Sequence, residues 1–278
     1  MESLKQIFFD DSLFFMRQAL LLGLLASIPF GTIGSVVVAR RISYLAAAIA
    51  HAVLGGIGFS LFAQHNLGWT WLHPLIGALA AGILSALLMG WISIKHKARE
   101  DTLIGAIWSL GMAIGLLFIF KTPQYVDPMS YLFGDILMIS STDILLVGIL
   151  SLLVIALVLY AYQPLVALCF DEEFAALRGI RTTPLYLLTL CLTAVTIVLL
   201  VSMVGIVLVI ALLTLPAAIA SLFSKKLWQM MIGGIATSML FTFLGTWFSY
   251  SWDLPTGPLI IVFCGLSYIG VLVFKKAK

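Results

Sequence analysis

His51 is the one ionisable side chain in the middle of a strongly apolar stretch, Ser43 to Gly58, SYLAAAIAHAVLGGIG. An imidazole in hydrocarbon is expensive, which makes it a functional-site candidate by default. At helical spacing it shares a face with Tyr44, Ala47, Ala48, Leu54, Gly55 and Gly58, and small side chains there let a second backbone approach closely. Alone it cannot run general acid–base chemistry, because no orienting partner lies within reach in the sequence. Two further histidines, His65 and His73, flank Trp69 and Trp71 in HNLGWTWLHP. They could meet a borderline cation, but without a neighbouring Cys or carboxylate the signal is weak, and the tryptophans suit a membrane-interface belt. His96 falls in a basic turn, KHKARED, and reads as solvated.

A second constellation is FDEEFAALRGIRTTP, Phe170 to Pro184. Asp171, Glu172 and Glu173 open a short helix at the positive end of its dipole. Phe174, Ala175 and Leu177 supply apolar surface, and Gly179 is placed to end the helix. A short capped helix between two apolar segments reads as a docking knob. The alternative is an interfacial helix lying on lipid, which ordinarily carries more basic residues than one opening with three acids.

Two proline features are structural on their face and candidate gates or kinks at most. Pro216, in TLPAA, sits inside an apolar segment where it removes a backbone donor. Asp253, Pro255, Gly257 and Pro258 form a rigid turn, WDLPTGP. In the stretch Glu100 to Gly115, the acids read as a helix start and Gly105, Gly111 and Gly115 as a packing face. No HExxH, GxSxG or Walker lysine loop occurs, nor a pair of intramembrane aspartates. The chain is expected not to be an enzyme.

The elements that must position these groups are membrane helices. Of 278 residues, 62% are hydrophobic and 10% charged, against about 25% charged in soluble domains; mean hydropathy is +1.16. A span needs about 20 predominantly apolar residues. Windows that qualify are 15–38, 43–64, 74–94, 102–120, 143–163, 184–201, 203–223, 228–250 and 257–274. The sixth and seventh form one run from Pro184 to Phe223, split here near Ser202 to Gly205 with a re-entrant segment as the alternative. The count is therefore eight or nine.

With nine spans, 12 of the 15 Lys and Arg fall on one side: Arg40, Arg41, Lys95, Lys97, Arg99, Arg178, Arg181, Lys225, Lys226, Lys275, Lys276 and Lys278. The positive-inside rule makes that side cytoplasmic and puts the N-terminus outside. The outer side collects Asp10, Asp11, Asp127, Asp135, Asp143 and Asp253. The first residues lack a basic n-region, so no cleavable signal peptide is expected. A net charge of +3 is too small to suggest a nucleic-acid partner. Cys169, Cys191 and Cys264 are odd in number and widely spaced, and read as packing residues rather than a disulfide or metal framework. No internal repeat or soluble segment divides the chain, so residues 1–278 are expected to form one transmembrane domain.

Together these stretches resemble the permease subunits of binding-protein-dependent ABC importers for zinc, manganese and iron. The resemblance runs in order through Arg40-Arg41-Ile42-Ser43 to His51-Ala52-Val53-Leu54-Gly55, Glu100-Asp101-Thr102-Leu103-Ile104-Gly105, Asp171 to Gly179, Val204-Gly205 to Pro216-Ala217-Ala218, and Asp253 to Pro258. It covers nearly the whole chain. It implies an all-α type II importer fold in the bacterial inner membrane, with two permease copies and the path between them. It implies a cytoplasmic pair of ATPase subunits that hold the ATP, and an extracytoplasmic metal-binding protein that delivers the ion. No permanently bound cofactor is implied. Asp171, Glu173, Phe174, Ala175 and Gly179 then look like the coupling helix that meets the ATPase, and His51 like the pore ligand for the metal. One departure stands out. Where the family usually has an acid four residues before the histidine, this chain has Ala47. Imidazole suits zinc and carboxylate suits manganese, which tilts the expectation towards zinc. The alternatives are a permease for a metal chelate such as a siderophore or cobalamin, which shares the type II architecture, and an ATP-independent secondary cation transporter, which would need more intramembrane acids.

Overall fold

The computed structural model describes residues 14–95, 100–123, 128–134 and 140–276. Asp10, Asp11, His96, Lys97, Arg99, Asp127, Asp135 and Lys278, used above to assign the two sides or the turns, lie outside them. All regular structure among the described residues is helical. The helices are α1 (Phe14–Ala39), α2 (Ser43–Asn66), α3 (Pro74–Lys95), α4 (Glu100–Lys121), α5 (Pro128–Phe133), α6 (Ser141–Tyr160), α7 (Tyr162–Phe170), α8 (Glu172–Leu177), α9 (Thr182–Val204), α10 (Ile206–Phe223), α11 (Leu227–Trp252) and α12 (Thr256–Lys276). Among the described residues, nine helices are long and apolar enough to cross a membrane.

The long run from Pro184 to Phe223 resolves into two spans. Gly205 separates α9 from α10 with φ 83° and ψ 159°, a conformation essentially reserved for glycine. Both helices retain spanning length, at 23 and 18 residues. The connection after the fifth span is itself largely helical: the chain bends at Ala161 and continues as α7, YQPLVALCF. Pro164 falls in the first turn, where a missing N–H is tolerated.

The helices gather into two compact units, residues 1–36, 133–160 and 203–278, and residues 37–132 and 161–202. In the first, helix approach depends on small residues. A Cβ on Gly31 of α1 would lie 2.7 Å from the Gly234 carbonyl carbon of α11, and one on Gly245 of α11 would lie 3.1 Å from Ile260 Cα of α12. Ser151 Oγ of α6 donates to the Leu25 carbonyl of α1 at 3.1 Å. In the second unit α2 is central, packed on both α3 and α4. A Cβ on Gly56 would meet Ala81 Cβ of α3 at 2.6 Å, and one on Gly111 of α4 would meet Ala52 Cα at 2.6 Å. Lipid tails are as apolar as Leu, so such backbone proximity and its van der Waals contact hold the bundle in place of a hydrophobic drive. Three buried hydroxyls return to their own helices: Ser27 to Gly23, Ser35 to Gly31 and Thr193 to Thr189, at 2.6–2.8 Å. Each such bond removes a polar demand that hydrocarbon could not meet.

Candidate functional site

α2 is buried on every side but one. Tyr44, Ala47, His51, Gly55, Phe59 and Phe62, three or four residues apart, form a single exposed or partly buried stripe. This is narrower than the face drawn from the sequence, since Ala48, Leu54 and Gly58 are buried. His51 sits near the middle of that stripe. Its Nδ1 lies 2.8 Å from the Ala47 carbonyl oxygen. A carbonyl only accepts, so the neutral ring carries its proton on Nδ1 and keeps the Nε2 lone pair for a ligand. Metal-bound histidines characteristically donate their second nitrogen to a backbone carbonyl or carboxylate in this way. The small residue at 47 leaves the carbonyl in place.

Trp108 of α4 packs on the imidazole, with ring centroids 4.5 Å apart and planes inclined by 32°. Nothing in the sequence singles it out. Its placement follows from glycine: a Cβ on Gly115 would lie 2.5 Å from the Leu54 carbonyl oxygen, so α4 runs against α2 at backbone distance. Trp108, Gly111 and Gly115 share one face of α4, and that register is the signal that could have found Trp108. Gly105, expected on the same packing face, has nothing within 4 Å of where a Cβ would lie. Among the described residues no cluster of three or more His, Cys, Asp or Glu could hold a metal ion. His51 thus belongs to no such cluster among the described residues. His65 and His73 are each engaged locally: His65 Nδ1 is 2.9 Å from the Leu61 carbonyl, and His73 Nδ1 accepts from Leu75 N at 3.3 Å.

The Asp171–Gly179 segment folds as its residues direct. Asp171 is the N-cap of α8, and its Oδ1 accepts from Phe174 N at 2.8 Å. At the other end Gly179 adopts φ 79°. Ile180 N donates to Ala175 O at 3.1 Å and Gly179 N to Ala176 O at 2.9 Å, the paired bonds of a Schellman cap. Ala175 is fully buried, whereas Phe174 is 47% and Leu177 87% exposed. Arg178 lies 4.8 Å over the Phe174 ring, and Glu173 is exposed. The knob presents apolar side chains beside charges of both signs. Cys169, just before it, is a packing residue. Burial pushes its thiol up to about 11 from an ordinary 9.0, despite the opposing pull of Arg40, so it stays neutral and a poor metal ligand at cellular pH.

Pro216 lies buried inside α10, which runs on without interruption. Its carbonyl accepts from Thr237 Oγ1 at 3.2 Å. The interruption in this part of the chain is at Gly205, well before the proline, where a Cβ on Gly134 would lie 2.6 Å from Gly205 N. Asp253, Pro255, Gly257 and Pro258 do come together as one turn. Asp253 ends α11 in the left-handed region at φ 53°. Ser249 Oγ closes the turn, donating to Leu254 O at 2.6 Å and lying 2.7 Å from Thr256 Oγ1. A Cβ on Gly257 would sit 3.0 Å from Phe133 O and 3.8 Å from Leu208 Cδ2. The turn therefore meets α10 near its start, away from Pro216.

Spans packed through glycine contacts, a lone imidazole on a partly exposed stripe and an exposed capped knob between spans define a multi-pass helical membrane protein. The chain belongs to the ABC 3 transport family, whose family model matches residues 12–275. A "Probable metal transport system membrane protein" of Chlamydia pneumoniae is 39% identical over 252 residues, covering 90% of this chain and 86% of that protein. The manganese transport system membrane protein MntC of Listeria monocytogenes is 32% identical, with 95% and 92% covered. The high-affinity zinc uptake system membrane protein ZnuB of Haemophilus influenzae is 30% identical, with 94% and 97% covered. Among solved structures, PsaBC from Streptococcus pneumoniae in complex with Fab matches with a TM-score of 0.84 at 26% identity, covering 97% of this chain and 94% of that one. The chain is a multi-pass ABC transporter permease of the bacterial cytoplasmic membrane.

Proposed function

We propose that this chain is the permease of an ATP-driven importer for a divalent transition metal ion, with zinc favoured over manganese or iron. Relatives named for manganese and for zinc transport support a metal ion as cargo, and family membership favours ATP coupling over a secondary cation transporter. The observation that carries the reading is His51 on the open stripe of α2, its Nδ1 tied to the Ala47 carbonyl and its Nε2 free for an ion. One imidazole is a weak site, and a path must bind loosely enough to release. The favoured metal follows from the donor present: nitrogen at 51 and no carboxylate at 47.

On this reading residues 1–278 act as one permease domain, paired with a second copy so that two His51 stripes line the path. An extracytoplasmic binding protein delivers the ion, and an ATPase dimer docks on α8 through Asp171, Glu173, Phe174, Ala175 and Gly179. The chain itself performs no hydrolysis and holds no permanent cofactor. The Gly205 break and the Asp253–Pro258 turn are candidate gates at the outer end, and Pro216 is a candidate kink within α10. The test is uptake of radiolabelled zinc and manganese into proteoliposomes holding permease, ATPase and binding protein. Accumulation that requires ATP and prefers zinc is expected. ATP-independent accumulation, or none of either ion, would overturn the reading.

A further inference from the structure

Arg40 lies where four elements meet. It is the C-cap of α1: Arg41 N donates to Val38 O and Ile42 N to Val37 O, both at 3.0 Å, a Schellman cap whose left-handed position is Arg41, at φ 59°. Glycine is the usual residue there, and a side chain costs about 1 kcal/mol of backbone strain. The strained turn fixes the Arg40 backbone, and its guanidinium turns towards α7, α8 and α9. Nη1 donates to the Leu168 carbonyl at 2.7 Å, one of the last carbonyls of α7. Nη1 and Nη2 reach Glu172 Oε2 at 3.1 and 3.2 Å. The Arg40 Cζ stands 5.0 Å from the centre of the Tyr186 ring on α9. The Arg40 side chain is only 14% exposed, against 50% for Glu172.

The extended residue Asp171, at φ −154° and ψ 98°, is the bend between α7 and α8, and Arg40 spans it. It holds the last turn of α7 with one bond and the first residue of α8 with two. An arginine suits this position because its planar fork serves a carbonyl and a carboxylate together, while a lysine presents a single point charge. The same residue begins the turn into α2, the helix that carries His51 about 12 Å further along its axis.

We propose that Arg40 is a positioning residue for energy coupling: it latches α8 to the α1–α2 turn, so that displacement of the knob is delivered to the helix bearing the metal ligand. This rests on the reading of α8 as the ATPase docking element. A salt bridge half open to water would add little to stability. Its use here is directional, since α8 cannot tilt against the α1–α2 turn without breaking the fork.

The readout is the number of ATP molecules hydrolysed per zinc or manganese ion accumulated, measured on the full complex in proteoliposomes and normalised to assembled complex. Arg40→Gln is expected to raise that ratio about five-fold, in the range for coupling positions that touch neither ligand. Arg40→Lys should fall between Arg40→Gln and the parent, and Glu172→Gln, which keeps the Leu168 bond, should give a smaller rise if Arg40→Gln fails to assemble. The exchange Arg40→Glu with Glu172→Arg should recover part of the coupling lost by Arg40→Glu alone. Leu177→Asp, on the exposed face of α8, separates the latch from the docking. Uncoupling by Leu177→Asp with parental ratios in Arg40→Lys and Glu172→Gln would overturn the latch and leave docking intact. A parental ratio in Leu177→Asp as well would remove the docking reading, and the latch with it.

Discussion

Ala47 leaves room beside His51 for a second donor. It lies one turn before the imidazole on the same open stripe of α2, and its contribution to His51 is made by its carbonyl rather than its methyl. Ala47→Asp should therefore keep the Nδ1 tautomer while adding a carboxylate oxygen to the same face. In a competition assay with both ions present, uptake is expected to shift from zinc towards manganese. An unchanged ratio would mean that the residue at 47 does not face the ion. At this scale the sequence singles out a residue where cost is its own signal, as with a histidine in hydrocarbon. It does not by itself pick out Trp108, because α4 carries several large side chains and the register of Trp108 with Gly111 and Gly115 points to it only if those glycines face α2. The approach of Gly111 and Gly115 to Ala52 and Leu54 decides that, and it is a tertiary fact.

Among the elements, those bounded by local chemistry were legible. Asp171 as N-cap and Gly179 as left-handed C-cap delimit α8 because caps are made by neighbours in sequence. α7 was not legible, because YQPLVALCF continues the apolar run of α6 and the bend at Ala161 leaves no break in periodicity. The run from Pro184 to Phe223, twice the length of one crossing, breaks at Gly205, inside the stretch where its length placed the split, and α10 continues as a helix through Pro216. Two expectations follow. Gly205→Ala forces a side chain into φ 83° and ψ 159° and should cost about 1–3 kcal/mol, seen as a lower melting temperature of the detergent-solubilised chain; an unaltered melting temperature would contradict the break. Gly179 has nothing within 4 Å of where a Cβ would lie, but its φ of 79° strains any side chain, so Gly179→Ala carries the backbone cost and Gly179→Trp adds only bulk. Loss of ATP-coupled uptake in Gly179→Trp beyond that in Gly179→Ala would therefore report on a partner surface, and equal coupling in the two would contradict docking there.

For the whole molecule, hydropathy and charge alternation carried most of the architecture, since spanning length and the positive-inside bias are physical properties of the chain itself. Nine helices of spanning length among the described residues fit that alternation. What lay beyond the sequence is the manner of assembly: two compact units stitched from separated segments, with glycines rather than large apolar side chains setting helix distances. Metal passage, on the function proposed, depends on one imidazole on the open stripe of α2. That dependence is read out by ATP-driven uptake of zinc and manganese in proteoliposomes carrying the complete complex with His51→Ala. Uptake is predicted to fall about ten-fold or more, as removal of a sole directional ligand worth roughly 1.4 kcal/mol or more would cause, while assembly with the ATPase and ATP hydrolysis persist. Undiminished uptake of both ions by the His51→Ala complex would contradict it.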